Sequence, residues 1–443
     1  MDKDYILNNI EDFSAQQLFE AINQRILTLE ELRNSGKIDA TTRKAIASLQ
    51  QARDIEDDSV WNNARYTEQG CRDYLTNFPF GRHIDEARQQ IDNLEKIRNQ
   101  DKEERNSIIG KLRHNPNSFT TGMLRQYLND GKITTDDLLN AGIPNGIIIL
   151  LDNIVSPQYE LGKTPLSIPE GYTEVYFWGI PGSGKTCALA AVLSTANKHG
   201  YLEIAQGPGY DYMVRLKNIF ANPISYLPGA SPVDTTQYLP FTLKKPNEKN
   251  YRSVSLIELS GEIFQCFYFK NANRPLPSPQ HEETFSSLLR FLSSENRKIH
   301  FFFIDYNQEN KPDNDGYTQS DYLEAAATFF NDKNNNFFSK STDSIYIVVT
   351  KSDLMKCDKS ERVNHLKEHL QSNNYTAFIN SLRNKCIENG INGKRILATP
   401  FALGKVYFQQ LCEFDSETSS NIIDILMRRI APKKESILDK FNE

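Results

Sequence analysis

The residues best suited to chemistry run from Gly179 to Thr186, Gly-Ile-Pro-Gly-Ser-Gly-Lys-Thr, and fill every fixed position of the pattern G-x-x-x-x-G-K-[ST]. A glycine-rich turn of this length can aim successive backbone N–H groups at one anion, and a helix beginning at its end adds orphan donors and a favourable dipole. Gly179, Gly182, Ser183 and Gly184 would cradle phosphate, with Cys187 opening the helical run that follows. Lys185 would reach the β and γ oxygens, and the Thr186 hydroxyl would ligate Mg²⁺.

Other candidate groups stand at the ends of apolar runs. Ile345 to Val349 ends in Thr350-Lys351-Ser352-Asp353, where the Asp353 carboxylate can accept from a guanine N1–H and N2 amine while the stem of Lys351 lies along the base. SLIELSGE places Glu258, Gly261 and Glu262 at the end of another run, and Asp234-Thr235-Thr236 stands just ahead of YLPFTLKK. Pro400-Phe401-Ala402-Leu403-Gly404 follows KRILAT. In GIPGSGKT, TKSD and ELSG the chain resembles the P-loop GTPase superfamily of Ras-like fold, over roughly residues 160 to 430. The resemblance implies GTP and GDP as ligands with Mg²⁺, a metal shell formed by Thr186, Thr236 or Thr235, and Glu258, and a γ-phosphate contact from Gly261. It further implies base contacts from Thr350, Lys351, Asp353 and the loop at Phe401. The pattern departs from the family at Glu258, which stands for aspartate, and at Glu262, which stands where a glutamine orients the attacking water. A carboxylate beside three phosphates predicts slow hydrolysis, or hydrolysis organised by another group. Two other readings stand beside a GTPase switch. One is an ATPase using Asp305, at the end of KIHFFFID, as its Walker B carboxylate; the other is a scaffold that binds nucleotide without turning it over.

These groups need a frame. From Thr173 onward, TEVYFW, YLPFTLKK, SVSLIEL, KIHFFFID, SIYIVVT and KRILAT alternate with helical stretches, which predicts an α/β domain over 172–443 whose mainly parallel sheet is covered by helices on both faces. NRPLPSPQHEE (273–283) and NDKNNNFFSK (331–340) read as loops, and the basic run Met427–Lys434 as a solvated helix face. A proline-bearing linker, 156–171, precedes the domain.

Residues 1–155 read as an all-α interaction module. FSAQQLFEAINQRILTLEELRNSG (13–36) aligns without gaps on FTTGMLRQYLNDGKITTDDLLNAG (119–142), each copy a helix, a capping Thr, a second acid-started helix and a closing Gly. Between them, Trp61 to Ile91 resembles the helix-turn-helix of tetratricopeptide-like bacterial modules, with Pro79 and Gly81 at the break and His83 as a turn residue. By its composition, with nothing in it suited to chemistry, this half is expected to engage a protein partner. A formal charge of −6, with no basic stripe, argues against nucleic acid. Six scattered cysteines without C-x-x-C predict a reducing compartment, and the acidic start with no long apolar run predicts a cytoplasmic chain without a membrane span. No seryl or cysteinyl catalytic triad has local support, and oligomeric state leaves no mark in the sequence.

Overall fold

The structure, a computed structural model, describes residues 2–151, 167–207, 209–229, 236–332, 337–338, 341–371, 373–391, 396–430 and 433–434. Most of the linker, together with Asp234 and Thr235, lies outside the described residues. By packing, the chain falls into two compact units: Met1–Lys111 with Asn129–Thr134, and Leu112–Leu128 with Thr135–Glu443.

The first unit is helical. Its helices Ala15–Asn23 and Leu29–Asn34 are each opened by a reciprocal cap, Ser14 with Gln17 and Thr28 with Glu31. The second copy of the repeat forms helices at the matching places, Thr121–Asn129 and Thr135–Asn140, which apart from Asn129 belong to the second unit. In the tetratricopeptide-like segment, helices Ala40–Ala64, Glu68–Asn77 and Ile84–His114 pack Trp61, Tyr74 and Ala87 together. The buried Asp57 carboxylate accepts from Tyr74 Oη and, at 2.8 Å, from the Arg82 N–H, so the Pro79–Gly81 turn is held by a satisfied polar group. His83 stacks on Trp61 between Asp58 and Glu86. Burial opposes its charge, yet hydrogen bonds to those carboxylates leave the imidazole above its ordinary pKa. No helix among the described residues is long and apolar enough to cross a membrane.

The second unit is an α/β domain. Its strands are β1 Thr173–Trp178, β2 Leu202–Ile204, β3 Ile224–Tyr226, β4 Gln237–Leu243, β5 Asn250–Glu258, β6 Lys298–Asp305, β7 Thr342–Thr350, β8 Leu397–Pro400, β9 Gly404–Tyr407, β10 Leu411–Phe414 and β11 Lys433–Lys434. The main sheet has the order β2-β4-β5-β1-β6-β7-β8, with β11 against β5. β5, β1, β6, β7 and β8 are parallel; β2 and β4 are antiparallel additions at one edge. β1 and β6 are buried throughout, as their unbroken apolar runs require when helices cover both faces. Alternation sends Tyr176, Trp178 and Phe302 to one face, beneath helices Gly261–Asn271, Pro279–Leu292 and Gln319–Asn331. It sends Val175, Phe177 and Phe301 to the other, beneath Lys185–Lys198, Tyr210–Ile219 and Glu417–Arg429. A small antiparallel sheet, β3-β10-β9, stands apart from this path.

Two expected loops differ. Residues 279–283 form the first turns of the helix Pro279–Leu292, because Ser278 caps it by accepting from the His281 N–H and Pro279 occupies the first helical position, where its missing N–H costs nothing. In the 331–340 stretch, helix Gln319–Asn331 includes Asn331, and Phe337 and Phe338 are buried in the core, whereas 333–336 and 339–340 lie outside the described residues. Of the basic run, Met427 is buried within helix Glu417–Arg429, and Lys433–Lys434 pair with β5.

One buried base gives the fold a pH dependence. His300, fully buried, accepts from Trp178 Nε1 at 3.0 Å through Nδ1, which places its proton on Nε2, where no hydrogen-bond partner lies among the described residues. Burial, with the Lys298 charge adding to it, pushes the imidazole down to about 3. A folded pKa below the unfolded value means that the unfolded chain binds more protons between these values, so this stabilisation is complete above about pH 6.5 and is lost as pH falls toward 3. The stability advantage of wild type over His300→Gln should therefore shrink on acidification across that window, by up to ~1.4 kcal/mol per pH unit. Denaturant melts at stepped pH check this, and a constant gap would contradict it.

Candidate functional site

The parallel strands deliver the candidate residues to one edge. Gly179 follows β1, Glu258 ends β5 in register with Phe177, and Asp305 ends β6 opposite Thr350, the last residue of β7. Pro400 ends β8 opposite Val349. All five positions lie at the carboxyl ends of parallel strands, where open α/β sheets take their ligands.

The loop 179–184 is shaped by its own lysine. Lys185 Nζ donates to the carbonyls of Gly179 (2.8 Å) and Ile180 (3.0 Å), drawing those oxygens inward. Ser183 Oγ also donates to the Ile180 carbonyl, at 2.8 Å. The ammonium is buried, and burial, partly offset by the Glu258 charge, lowers its pKa to about 8. Gly184 caps the helix Lys185–Lys198 with a φ of +87°, and the Thr350 side chain stands 3.4 Å from where a Cβ would project. The Thr350 hydroxyl donates to the Ser183 carbonyl (2.9 Å) and sits 3.3 Å from that of Ile304, tying the loop to the ends of β6 and β7. Gly184, lacking a side chain, makes no cap bond to the amides of the first turn, the donors an anion would meet. The Cys187 thiol, desolvated and pushed up to about 12, is a neutral wall group rather than a nucleophile.

Glu258 meets this loop from β5. Its Oε1 accepts from the Thr186 hydroxyl at 2.5 Å, and its Oε2 from Tyr212 Oη at 2.7 Å. The antiparallel register of β4 on β5 sets Gln237 opposite Glu258, which brings the buried Thr236 to the same strand end. Gly261 lies against the loop itself, since a Cβ there would fall 2.0 Å from Pro181 N. Ser260 caps the helix Gly261–Asn271 by accepting from the Ile263 N–H, and Glu262 sits half-buried in its first turn.

Beyond β7 the chain turns through Lys351 with φ +54°, and the Lys351 ammonium pairs with the buried Asp305 carboxylate at 2.6 Å. Asp305 also accepts from the Asn307 N–H, while the Gln319 amide brackets its backbone. The two strand-end carboxylates therefore differ in partner: Glu258 holds Thr186, and Asp305 holds Lys351. Asp353 borders a cleft of about 340 Å³, lined also by Lys359, Arg362, Ala402, Gly404, Lys405, Asp415 and Thr418. Desolvation raises the Asp353 carboxyl pKa, against its own backbone N–H and the charges of Arg362 and Lys351. Phe401 turns its ring into the core and serves through its backbone, donating to the Val349 carbonyl (2.8 Å) and accepting from the Ser352 N–H (3.1 Å). The cleft is thus faced by its neighbours Ala402 and Gly404. Lys359, Arg362 and Lys405 carried no motif; only the fold gathers them.

Thr186 and Glu258 are oxygen donors of the kind a small divalent cation takes. Among the described residues no group of three or more His, Cys, Asp or Glu is placed to hold a metal, so a cation at this pair would complete its shell with ligand oxygens and water. No protein-family model matches the chain, and no curated protein matches it.

The contact at Gly261 yields a test. Gly261→Ala would drive a methyl into the Ile180–Pro181 backbone and should cost ~1–3 kcal/mol in denaturant melts. Gly182→Ala meets nothing within 4 Å, so only its positive φ of +73° opposes it, at ~1–2 kcal/mol. Lost loop geometry should accompany only the first, read as a change in amide exchange across 179–186; unchanged exchange in Gly261→Ala would refute the packing argument.

Proposed function

We propose that the chain is a Ras-like P-loop protein that binds a guanine nucleotide with Mg²⁺, hydrolyses GTP slowly, and uses its nucleotide state to engage a protein partner through its N-terminal helices. The observation that carries this reading is the Thr186–Glu258 hydrogen bond of 2.5 Å at the mouth of the glycine loop, with Asp353 bordering a cleft at the same sheet edge. In P-loop enzymes that hydroxyl and a strand-end acid hold the cation, and this pairing favours Glu258 over Asp305 for the role, since Asp305 is engaged by Lys351. Bound Mg²⁺ would neutralise charge developing on the β and γ oxygens. The chain's own residues then divide the work. The loop amides and Lys185 would orient phosphate, a γ-phosphate would order the segments of Thr236 and Gly261, and Asp353 would accept from the donor pair that guanine has and adenine lacks.

Binding without turnover is a second reading, favoured by Glu262 at the start of the Gly261–Asn271 helix, where a second acid near three phosphates would be repelled or protonated. Single-turnover phosphate release with Mg²⁺ separates the two; a rate no faster than free GTP would leave only the scaffold.

Base choice has a sharper test. GTP should displace a fluorescent guanine analogue at least tenfold more effectively than ATP, and Asp353→Asn should abolish that preference while leaving phosphate-side affinity in place. Equal competition by ATP would overturn the guanine assignment.

A further inference from the structure

The loop that walls the cleft runs straight into a strained turn. From Gly404 the chain forms β9, reverses at Phe408–Gln409 and returns as β10. The register sets Tyr407 opposite Leu411, leaving a three-residue loop, 408–410, in which Phe408 and Gln409 have positive φ, +54° and +62°, a conformation that ordinarily selects Gly or Asn. Phenylalanine and glutamine adopt it only where their surroundings impose it.

Here much of that constraint comes from one residue in the turn Pro116–Ser118. Asn117 Oδ1 accepts from the Gln409 N–H (3.0 Å), its Nδ2 donates to the Val406 carbonyl (2.9 Å), and its own carbonyl accepts from Gln409 Nε2 (2.9 Å). Thr121 adds a hydroxyl bond to Gln410 Oε1, and the Phe408 ring is fully buried. On the far side of the small sheet the Leu227 N–H closes onto the Gln410 carbonyl at 2.8 Å, and Tyr226 Oη donates to the Leu150 carbonyl.

We propose that Asn117 is a positioning residue for the cleft: by imposing positive φ on the 408–409 turn it fixes the register of β9, and with it Gly404 and Lys405 at the cleft wall. Released, the turn relaxes toward negative φ. A one-residue slip of β9 on β10 would then carry Lys405 to the opposite face of the small sheet. Since coupling between sites is reciprocal, a ligand in the cleft firms the hold of 116–128 on the hairpin as much as that hold firms the ligand. The inference rests on the cleft being the base-side half of a nucleotide site.

The experiment compares GDP, ADP and inorganic tripolyphosphate, each with Mg²⁺, by calorimetry on the full chain. Asn117→Ala should weaken GDP roughly fivefold or more, leave tripolyphosphate affinity unchanged, and regain at least half the loss when Gln409→Gly is added, because glycine accepts positive φ without strain. Equal losses for GDP and tripolyphosphate, or no rescue by Gln409→Gly, would overturn the proposal. Should Asn117→Ala fail to fold, Gln409→Ala, which removes one of the three bonds, should give a smaller loss of the same pattern, and no such loss would overturn it. If wild type prefers GDP over ADP but the variants bind alike, only this inference falls; if wild type shows no such preference, the base-side reading falls and takes it along.

Discussion

The candidate site depends on a steric constraint at the glycine loop. On one side Gly261 touches the Ile180–Pro181 peptide so closely that no side chain fits between them; on the other, Thr350 packs on Gly184 and bonds to the Ser183 carbonyl. The loop is therefore clamped between the ends of β5 and β7 while continuous with β1. Its amides owe their direction to the sheet, and preorganised donors of that kind need no reorganisation when charge arrives.

Electrostatics follow from the same clamp. Burying Lys185 disfavours its charge, and Glu258 only partly restores it, which leaves an ammonium with a depressed pKa beside an acid whose oxygens are taken by hydroxyls. An arriving polyanion would favour the charged form of Lys185, so ligand binding and lysine protonation are linked. Asp305 and Lys351 form a charged pair at this edge, within a network through Gln319 to Tyr375 that fixes the end of β6.

Much of this was legible in the sequence. The six predicted strands are strands because aromatic and β-branched runs as dense as FFFI and YIVV bury both faces, and the motif residues sit at their carboxyl ends, where open α/β sheets take their ligands. The short strands β2, β3, β9 and β10 escaped notice. β2 and β3 have three residues each, and the β9–β10 turn, Phe408-Gln409, lacks the Asn or Gly that announces a hairpin. Thr350, a base contact in the resemblance, also bonds to the Ser183 carbonyl beneath the loop, a contact no tetrapeptide reveals. Phe401 was expected at the ligand and faces the core, because β8 is followed by a loop whose backbone does the pairing. Lys359 and Arg362 come from one segment and Lys405 from another, and they meet only through the third dimension.

The central claim is that a nucleotide's phosphates rest on the amides of 179–186 under Lys185. Isothermal titration of GDP with Mg²⁺ into wild type and Lys185→Ala measures it most directly. The account predicts saturable one-site heat for wild type and at least a tenfold weaker response for the variant, with its fold intact by thermal melting. No heat from wild type, or equal affinity in both proteins, would contradict it.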